Sequence, residues 1–281
     1  MIKHLLFVFI ALTAQACTAS SLEVVPGTRV RIEAPSGFET AQDFSGLINK
    51  DEISSLMIHE VPTSPENLAS GFEKEKLASR GLILIGHTQG TISGKKAELF
   101  QVKQYYGTTP FLKWVAIFGV EQSAVMLMAS FPEAIAATTG EKLRRAILAA
   151  SWDPSLGVGL FQGLGFELTG SGTLQPQQRI GNVVLIGRNG EFGTPGSSKP
   201  VMIAGTAPAT HISPSNAFIE SKHFVLQSNR LLDVKFLQER KIKVAGMDAY
   251  EIEGVATNKS DGVQIAFYQA LIPREGLHNH R

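Results

Sequence analysis

The stretch from Ser64 to Phe131 constrains the fold of this chain most, because a shorter version of it recurs from Ser213 to Leu271. Ser64-Pro65-Glu66-Asn67 is answered by Ser213-Pro214-Ser215-Asn216. Ile92-Ser93-Gly94 followed by Ala97 is answered by Val244-Ala245-Gly246 followed by Ala249. Upstream, Gly37-Phe38-Glu39 is answered by Gly165-Phe166-Glu167. The order is kept while the spacing widens. Most of the widening falls between 167 and 213, where Gly187 to Pro200 has the Gly, Ser and Pro content of an inserted surface loop. Three matches in one order argue for internal duplication. With 281 residues, two domains is the natural count.

Each copy reads as a capped helix followed by a meander of strands. Ser64 offers an N-cap oxygen, Pro65 sits at the first helical position and Glu66 complements the helix dipole. Leu68, Phe72 and Leu77 give one helix an apolar stripe, and Arg80-Gly81 ends it. Strands are expected over Val30–Ala34, Phe38–Asn49 and Ile53–Val61 before the helix. After it come Leu82–Ile85, Ala97–Tyr106, Leu112–Val120 and Ala124–Ala129. Thr138-Thr139-Gly140-Glu141 has the form of a capping box ahead of a helix whose buried face is Leu143, Ala146, Ile147 and Ala150. The expectation is an α+β fold, an antiparallel sheet packed with helices. Nothing in the second copy parallels Ala124–Phe131 or the helix over 141–150. Its last strand would expose unpaired backbone, to be covered by the first domain or by a partner chain.

The N-terminus reads as an export signal. Lys3 and His4 form a basic start, Leu5 to Leu12 an apolar run too short to span a bilayer, and Ala14-Gln15-Ala16 a small-residue cleavage site. Cys17 follows directly and is the only cysteine. Ala14-Gln15-Ala16-Cys17 resembles the lipobox of bacterial lipoproteins, with Ala14 where Leu is usual and Gln15 where a small residue is usual. That resemblance implies acylation of Cys17, membrane attachment through the lipid and a periplasmic location. Plain secretion after Ala16 is the alternative. The resulting boundaries are a leader over 1–16, a tether over 17–28, a first domain over 29–152, a linker over 153–164, a second domain over 165–272 and a tail over 273–281.

The succession Pro35-Ser36-Gly37-Phe38, strands, the Ser64-Pro65 helix, a strand, the Gly94-x-x-Ala97 strand, two long strands, Phe131-Pro132 and a final helix resembles the PsbP/Mog-type fold family. It covers about residues 29–152, and residues 160–272 more weakly. The resemblance implies two tandem domains of that fold, the second incomplete, and a non-enzymatic interaction role with an envelope protein as partner. The family supplies no shared catalytic residue to carry over.

Candidate chemistry is sparse. Gly90-Thr91-Ile92-Ser93-Gly94-Lys95-Lys96 imitates a phosphate loop, but its glycines are one residue too close, no Ser or Thr follows the Lys, and a strand follows. Gly157-Val158-Gly159 with Gly163 misses the dinucleotide spacing. His59-Glu60 lacks a second His at helical spacing, while His87 and His211 stand alone. His278 and His280 could touch one ion only weakly. Neither a nucleophile elbow nor a cofactor motif is present in the sequence, so no cofactor, metal or catalytic residue is assigned. A net charge of +1 gives no reason to expect nucleic acid. The best contact candidate is the turn Tyr105-Tyr106-Gly107-Thr108-Thr109-Pro110, flanked by Lys103 and Lys113. Lys103, Tyr105, Tyr106, Thr108 and Lys113 are the recognition residues expected from it. A non-catalytic interaction module leads, a carrier of a small apolar ligand between sheet and helix comes second, and an exported hydrolase ranks last.

Overall fold

The computed structural model describes residues 21–170, 172–188, 201–206, 212–227 and 230–273. The expected leader, Cys17, most of the Gly187–Pro200 insertion, His211 and the tail with His278 and His280 lie outside the described residues. The fold is α+β, mostly antiparallel sheet with a few short helices.

In chain order the front half contains β1 (Glu23–Val24), β2 (Val30–Ile32), β3 (Glu39–Thr40), β4 (Gly46–Asn49) and β5 (Ser54–Val61). Two short helices follow, α1 (Pro65–Ala69) and α2 (Lys74–Ala78). Next come β6 (Leu82–Ile92), β7 (Lys95–Tyr106), β8 (Thr109–Val120), β9 (Ser123–Pro132), α3 (Glu141–Leu148) and β10 (Ser151–Trp152). Seven strands form one sheet in the order β3-β4-β5-β9-β8-β7-β6, every neighbour antiparallel. β1, β2 and β10 form a small sheet of their own.

The central strands of the seven-stranded sheet pack on both faces, which explains why β8 and β9 read as near-continuous apolar runs. On one face Leu56, Ile58, Ala116, Phe118, Val125, Leu127 and Phe131 pack with Leu143 and Ile147 of α3 and with Val30, Ile32 and Trp152 of the small sheet. On the other face Phe100, Val102, Val115 and Ile117 pack against Leu77 of α2, with Leu68 and Phe72 beside it.

Several elements differ from the sequence expectation. The single strand over Phe38–Asn49 is two short ones, paired Glu39 to Ile48 and Thr40 to Leu47 around a polar turn. The first helix breaks in two. Ser64 does cap it, accepting from Asn67 N–H at 3.1 Å, but a 3-10 turn over Ser70–Phe72 and an extended Glu73 interrupt it. Ser70 and Gly71 are weak helix formers, and their carbonyl groups find other donors: Lys76 Nζ reaches Ser70 O at 3.0 Å and Arg80 reaches Gly71 O. The strand that begins over Leu82–Ile85 runs on to Ile92 as β6. The expected capping box does not form. Residues Ala136–Gly140 make a π-helical turn that runs straight into α3, and no side chain caps it. Thr139 Oγ1 instead donates to Glu52 at 2.6 Å.

The back half contains β11 (Leu174–Ile180), β12 (Val183–Arg188), β13 (Met202–Gly205), α4 (Ala217–Gln227), β14 (Leu231–Val244), β15 (Met247–Asn258) and β16 (Gln264–Leu271). Gly165-Phe166-Glu167, the expected counterpart of Gly37-Phe38-Glu39, carries no strand; Phe166 packs edge-to-face on Phe161. β11, β12 and β13 form a three-stranded sheet that docks on the front half. Arg179 is the peg: it donates to Gly181 O at 2.7 Å, to Gln162 O and to Ser45 Oγ, while Ser45 N–H donates to Asn182 Oδ1 at 3.2 Å. Burial pulls the Arg179 guanidinium pKa down, opposed by the charge of Glu60.

Helix α4 packs on the sheet β14-β15-β16 through Phe218 against Tyr250 and through Gln269, which donates to Ser221. From helix to third strand, the element order over 217–271 matches that over 65–120. Among the described residues β16 has no strand on its outer edge. The sheet's other face holds a charged network. Arg240 meets Glu251 and Glu253, and Tyr268 Oη donates to Glu251 at 2.7 Å. That hydrogen bond holds the Glu251 carboxyl low and pushes the Tyr268 phenol up to about 12.

Candidate functional site

Alternation along β7 and β8 decides where the expected recognition residues go. Val102, Gln104 and Tyr106 share one face of β7, and Lys103 and Tyr105 the other. Lys113 lies opposite Val102 in the ladder and so shares the Val102 face. The turn therefore divides the five residues. On one side Lys103 Nζ donates to Glu133 at 2.9 Å and lies 5.6 Å from the Tyr105 ring. The Glu133 hydrogen bond raises the Lys103 pKa. On the other side Lys113 Nζ donates to Tyr106 Oη at 3.3 Å and sits 5.7 Å from that ring, which meets Phe111 edge-on at 5.0 Å. Thr108 is exposed at the tip. Tyr105 and Tyr106 are 51% and 49% exposed, so neither is a core residue.

Behind Tyr106 and Lys113 lies a groove of about 220 Å³, roofed by the α1–α2 segment and floored by the sheet. Its apolar lining is Phe72, Leu82, Val102, Val115, Met126 and Met128. Arg80, Gln104 and Lys113 complete it. The break in the first helix helps to make this space. Leu77 is fully buried against the sheet while Phe72, one turn earlier, is only half-buried and stacks on Phe100 at 5.0 Å. An enclosed apolar cavity of about 150 Å³ holds a benzene ring, so this open groove has room for a short alkyl segment along its apolar wall. Methionine lets such a wall adapt its shape.

The sequence pattern exposed Phe72, Lys113 and the apolar strands but not the groove. Met126 and Met128 sit in a run apolar on both faces, so nothing in the alternation marks the wall that is incompletely covered.

The isolated histidines have structural surroundings. His87 stacks on Phe100 at 4.4 Å and bonds Glu98 at 2.7 Å. Burial pushes the Glu98 carboxyl up, but hydrogen bonds from His87 and Lys96 outweigh it and the pKa falls. His59 is half-buried on the groove-side face of β5, opposite Met126 in the ladder and against Gly181, and the loss of water around it lowers its pKa. Among the described residues no group of three or more His, Cys, Asp or Glu could hold a metal ion, and no helix is long and apolar enough to cross a membrane.

No protein-family description matches the chain, and no curated protein matches it. Among solved structures, LpqN of Mycobacterium tuberculosis, titled as involved in cell envelope biogenesis, is similar at 10% identity and TM-score 0.37, over 44% of this chain and 83% of that one. The cyanobacterial PsbP of Synechocystis is similar at 12% identity and TM-score 0.35, over 50% of this chain and 98% of that one. A protein of Bacteroides thetaiotaomicron is similar at 11% identity and TM-score 0.34, over 48% of this chain and 50% of that one. These are partial likenesses of shape.

Proposed function

We propose that this chain is an exported envelope protein, lipid-anchored through Cys17, that binds an apolar ligand without transforming it. In this reading the two halves are tandem PsbP/Mog-like copies, the second lacking its final strand and helix. The observation that carries the binding role is the groove between the α1–α2 segment and the sheet, about 220 Å³ with six apolar side chains in its wall. It favours the ligand carrier over a module that docks protein alone. The half-exposed Tyr105 and Tyr106 of the β7–β8 hairpin, Tyr106 on the groove side and Tyr105 on the other, support protein docking as a second reading, with the hairpin contacting an envelope partner that delivers or receives the ligand.

The test is a titration of the protein with N-phenyl-1-naphthylamine, a neutral apolar dye that brightens when it leaves water. Dye binding should saturate at one site and disappear in Val115→Trp, whose indole fills the groove. Equal brightening in parent and variant defeats the groove. Anchoring has its own test. A radioactive fatty acid fed to producing cells should label the parent and not Cys17→Ala; equal labelling ends the lipoprotein assignment.

A further inference from the structure

The groove is polarised along its length. In the sheet ladder Leu82 lies opposite Gln104, and Val102 opposite Lys113; Gln104 is in the third and Lys113 in the fifth pair from the β7–β8 turn, so both polar floor residues lie nearer the turn than Val115, which is in the seventh. Arg80 immediately precedes Gly81 and β6 at this same end. Further from the turn the floor is Val115 and Met128, opposite one another, and then Met126. One end of the groove is thus cationic and the other wholly apolar.

The two cations are not neutralised. Arg80 donates to a carbonyl oxygen of α2, Lys76 O at 3.0 Å, and to Gly71 O in the 3-10 turn between the helices. Lys113 meets only the neutral Tyr106 hydroxyl and ring. Among the described residues neither forms an ion pair with a carboxylate, and none of the groove-lining residues is acidic. Other lysines on the same sheet do have such partners, Lys103 on Glu133 at 2.8 Å and Lys96 on Glu98 at 3.4 Å. Two unpaired cations and an amide beside an apolar slot form a receptor for a negative group attached to a hydrocarbon tail. Charge-assisted hydrogen bonds to such a group are roughly twice as strong as neutral ones.

We propose that the ligand is a single-chain amphiphile with an anionic head, the head held by Lys113, Arg80 and Gln104 and the tail laid along Val115, Met128 and Met126. This rests on the groove reading above. Carboxylate and phosphate monoester heads share the required chemistry, so both serve as probes.

The experiment is displacement of N-phenyl-1-naphthylamine from the full chain by decanoate, decyl phosphate, decanol and decyltrimethylammonium, each below its aggregation concentration. Decanoate or decyl phosphate should displace the dye at least about tenfold more tightly than decanol, and decyltrimethylammonium most weakly, a tenfold step being about 1.4 kcal/mol. Lys113→Met should weaken the anion about tenfold and leave decanol within about twofold. Lys113→Glu, which keeps a polar side chain at the rim, should reverse the order of anion and cation. If decanoate and decanol compete equally and Val115→Trp abolishes both, the groove stands and the anionic head is overturned. If Lys113→Met and Lys113→Glu leave anion affinity unchanged, it is overturned as well. If no probe displaces the dye and the dye itself does not bind, the groove reading falls first and this inference with it.

Discussion

Ala97 and Ala249 occupy the same rung of two separate ladders. Ala97 lies opposite Gly90 and Ala249 opposite Ile242, each the third pair from a two-residue turn, and both side chains are fully buried. The turns agree as well: Ser93 and Gly94 have φ of 51° and 70°, Ala245 and Gly246 of 48° and 81°. Two-residue turns with both central φ values positive match the right-handed twist of a hairpin, which is why Gly recurs at the second position.

These turns differ in how they support a left-handed residue that is not glycine. Ser93 Oγ accepts from Trp152 N–H at 2.9 Å and donates to Trp152 O at 3.3 Å, tying the β6–β7 turn to β10. Ala245 has no hydroxyl. Ser93→Ala should therefore cost about 1–3 kcal/mol, because the Trp152 amide loses its acceptor. Ala245→Asn should add about 0.5–1 kcal/mol by relieving strain that costs an L-residue roughly 1–2 kcal/mol. Urea denaturation of both variants measures this, and a neutral Ser93→Ala would contradict it.

Leu77 is the anchor of the groove's roof, buried completely against Phe100, Val102, Val115 and Ile117. Leu77→Ala should destabilise the front half by about 2–5 kcal/mol. Hydrogen exchange should quicken in α1 and α2 before it does in β8 and β9. Uniform acceleration across the sheet would show that the helices are not a separate layer.

His59 gives a pH dependence with a defined sign. Its pKa in the folded chain lies below the ordinary 6.5 because folding strips water from around it, so the unfolded chain binds more protons in that window. Arg179 of β11 pegs the docked sheet beside Gly181, whose added Cβ would come within 2.5 Å of His59 Nδ1, so the docked sheet is what covers the imidazole. The stabilising contribution is complete above pH 6.5 and is lost as pH falls through the lowered folded pKa. Denaturant midpoints measured across this range should fall more steeply with acid in the parent than in His59→Gln. Parallel curves would remove His59 from the account.

Tyr268 should titrate late. Its hydroxyl donates to Glu251, so ionisation would set two negative charges side by side. Ultraviolet difference titration should place it near about 12, and Glu251→Gln should bring it back toward 10.0. No change in the phenol titration would mean that the contact does not form in solution.

The sequence disclosed the front sheet well because its signals are local. Ser64-Pro65, Gly81, Ser93-Gly94 and Gly107-Thr108 each mark a turn or cap within a few residues. Where it misled, a second structural demand overrode the pattern. A bulge between Leu84 and Gly86 shifts the alternation of β6, so the pattern marked the start of the strand over Leu82–Ile85 and not its full length. Ser70-Gly71 broke a helix whose apolar stripe was otherwise continuous. The groove was out of sight for a different reason. Gln104, Lys113, Val115 and Met128 come from three strands, and only the ladder register places their polar members at one end. Register is a long-range property, set by turns and bulges together.

One face of the β14-β15-β16 sheet carries Arg240, Glu251, Glu253 and Tyr268, where the corresponding face of the front sheet is sealed by α3. A face that carries partly exposed ions, Arg240 and Glu253 around a buried Glu251, stays compatible with water. Its compatibility with water then depends on ions: added salt screens the cluster and acid discharges its carboxylates. The back half should thus become adhesive under concentrated or acidified conditions while the doubly covered front sheet stays indifferent.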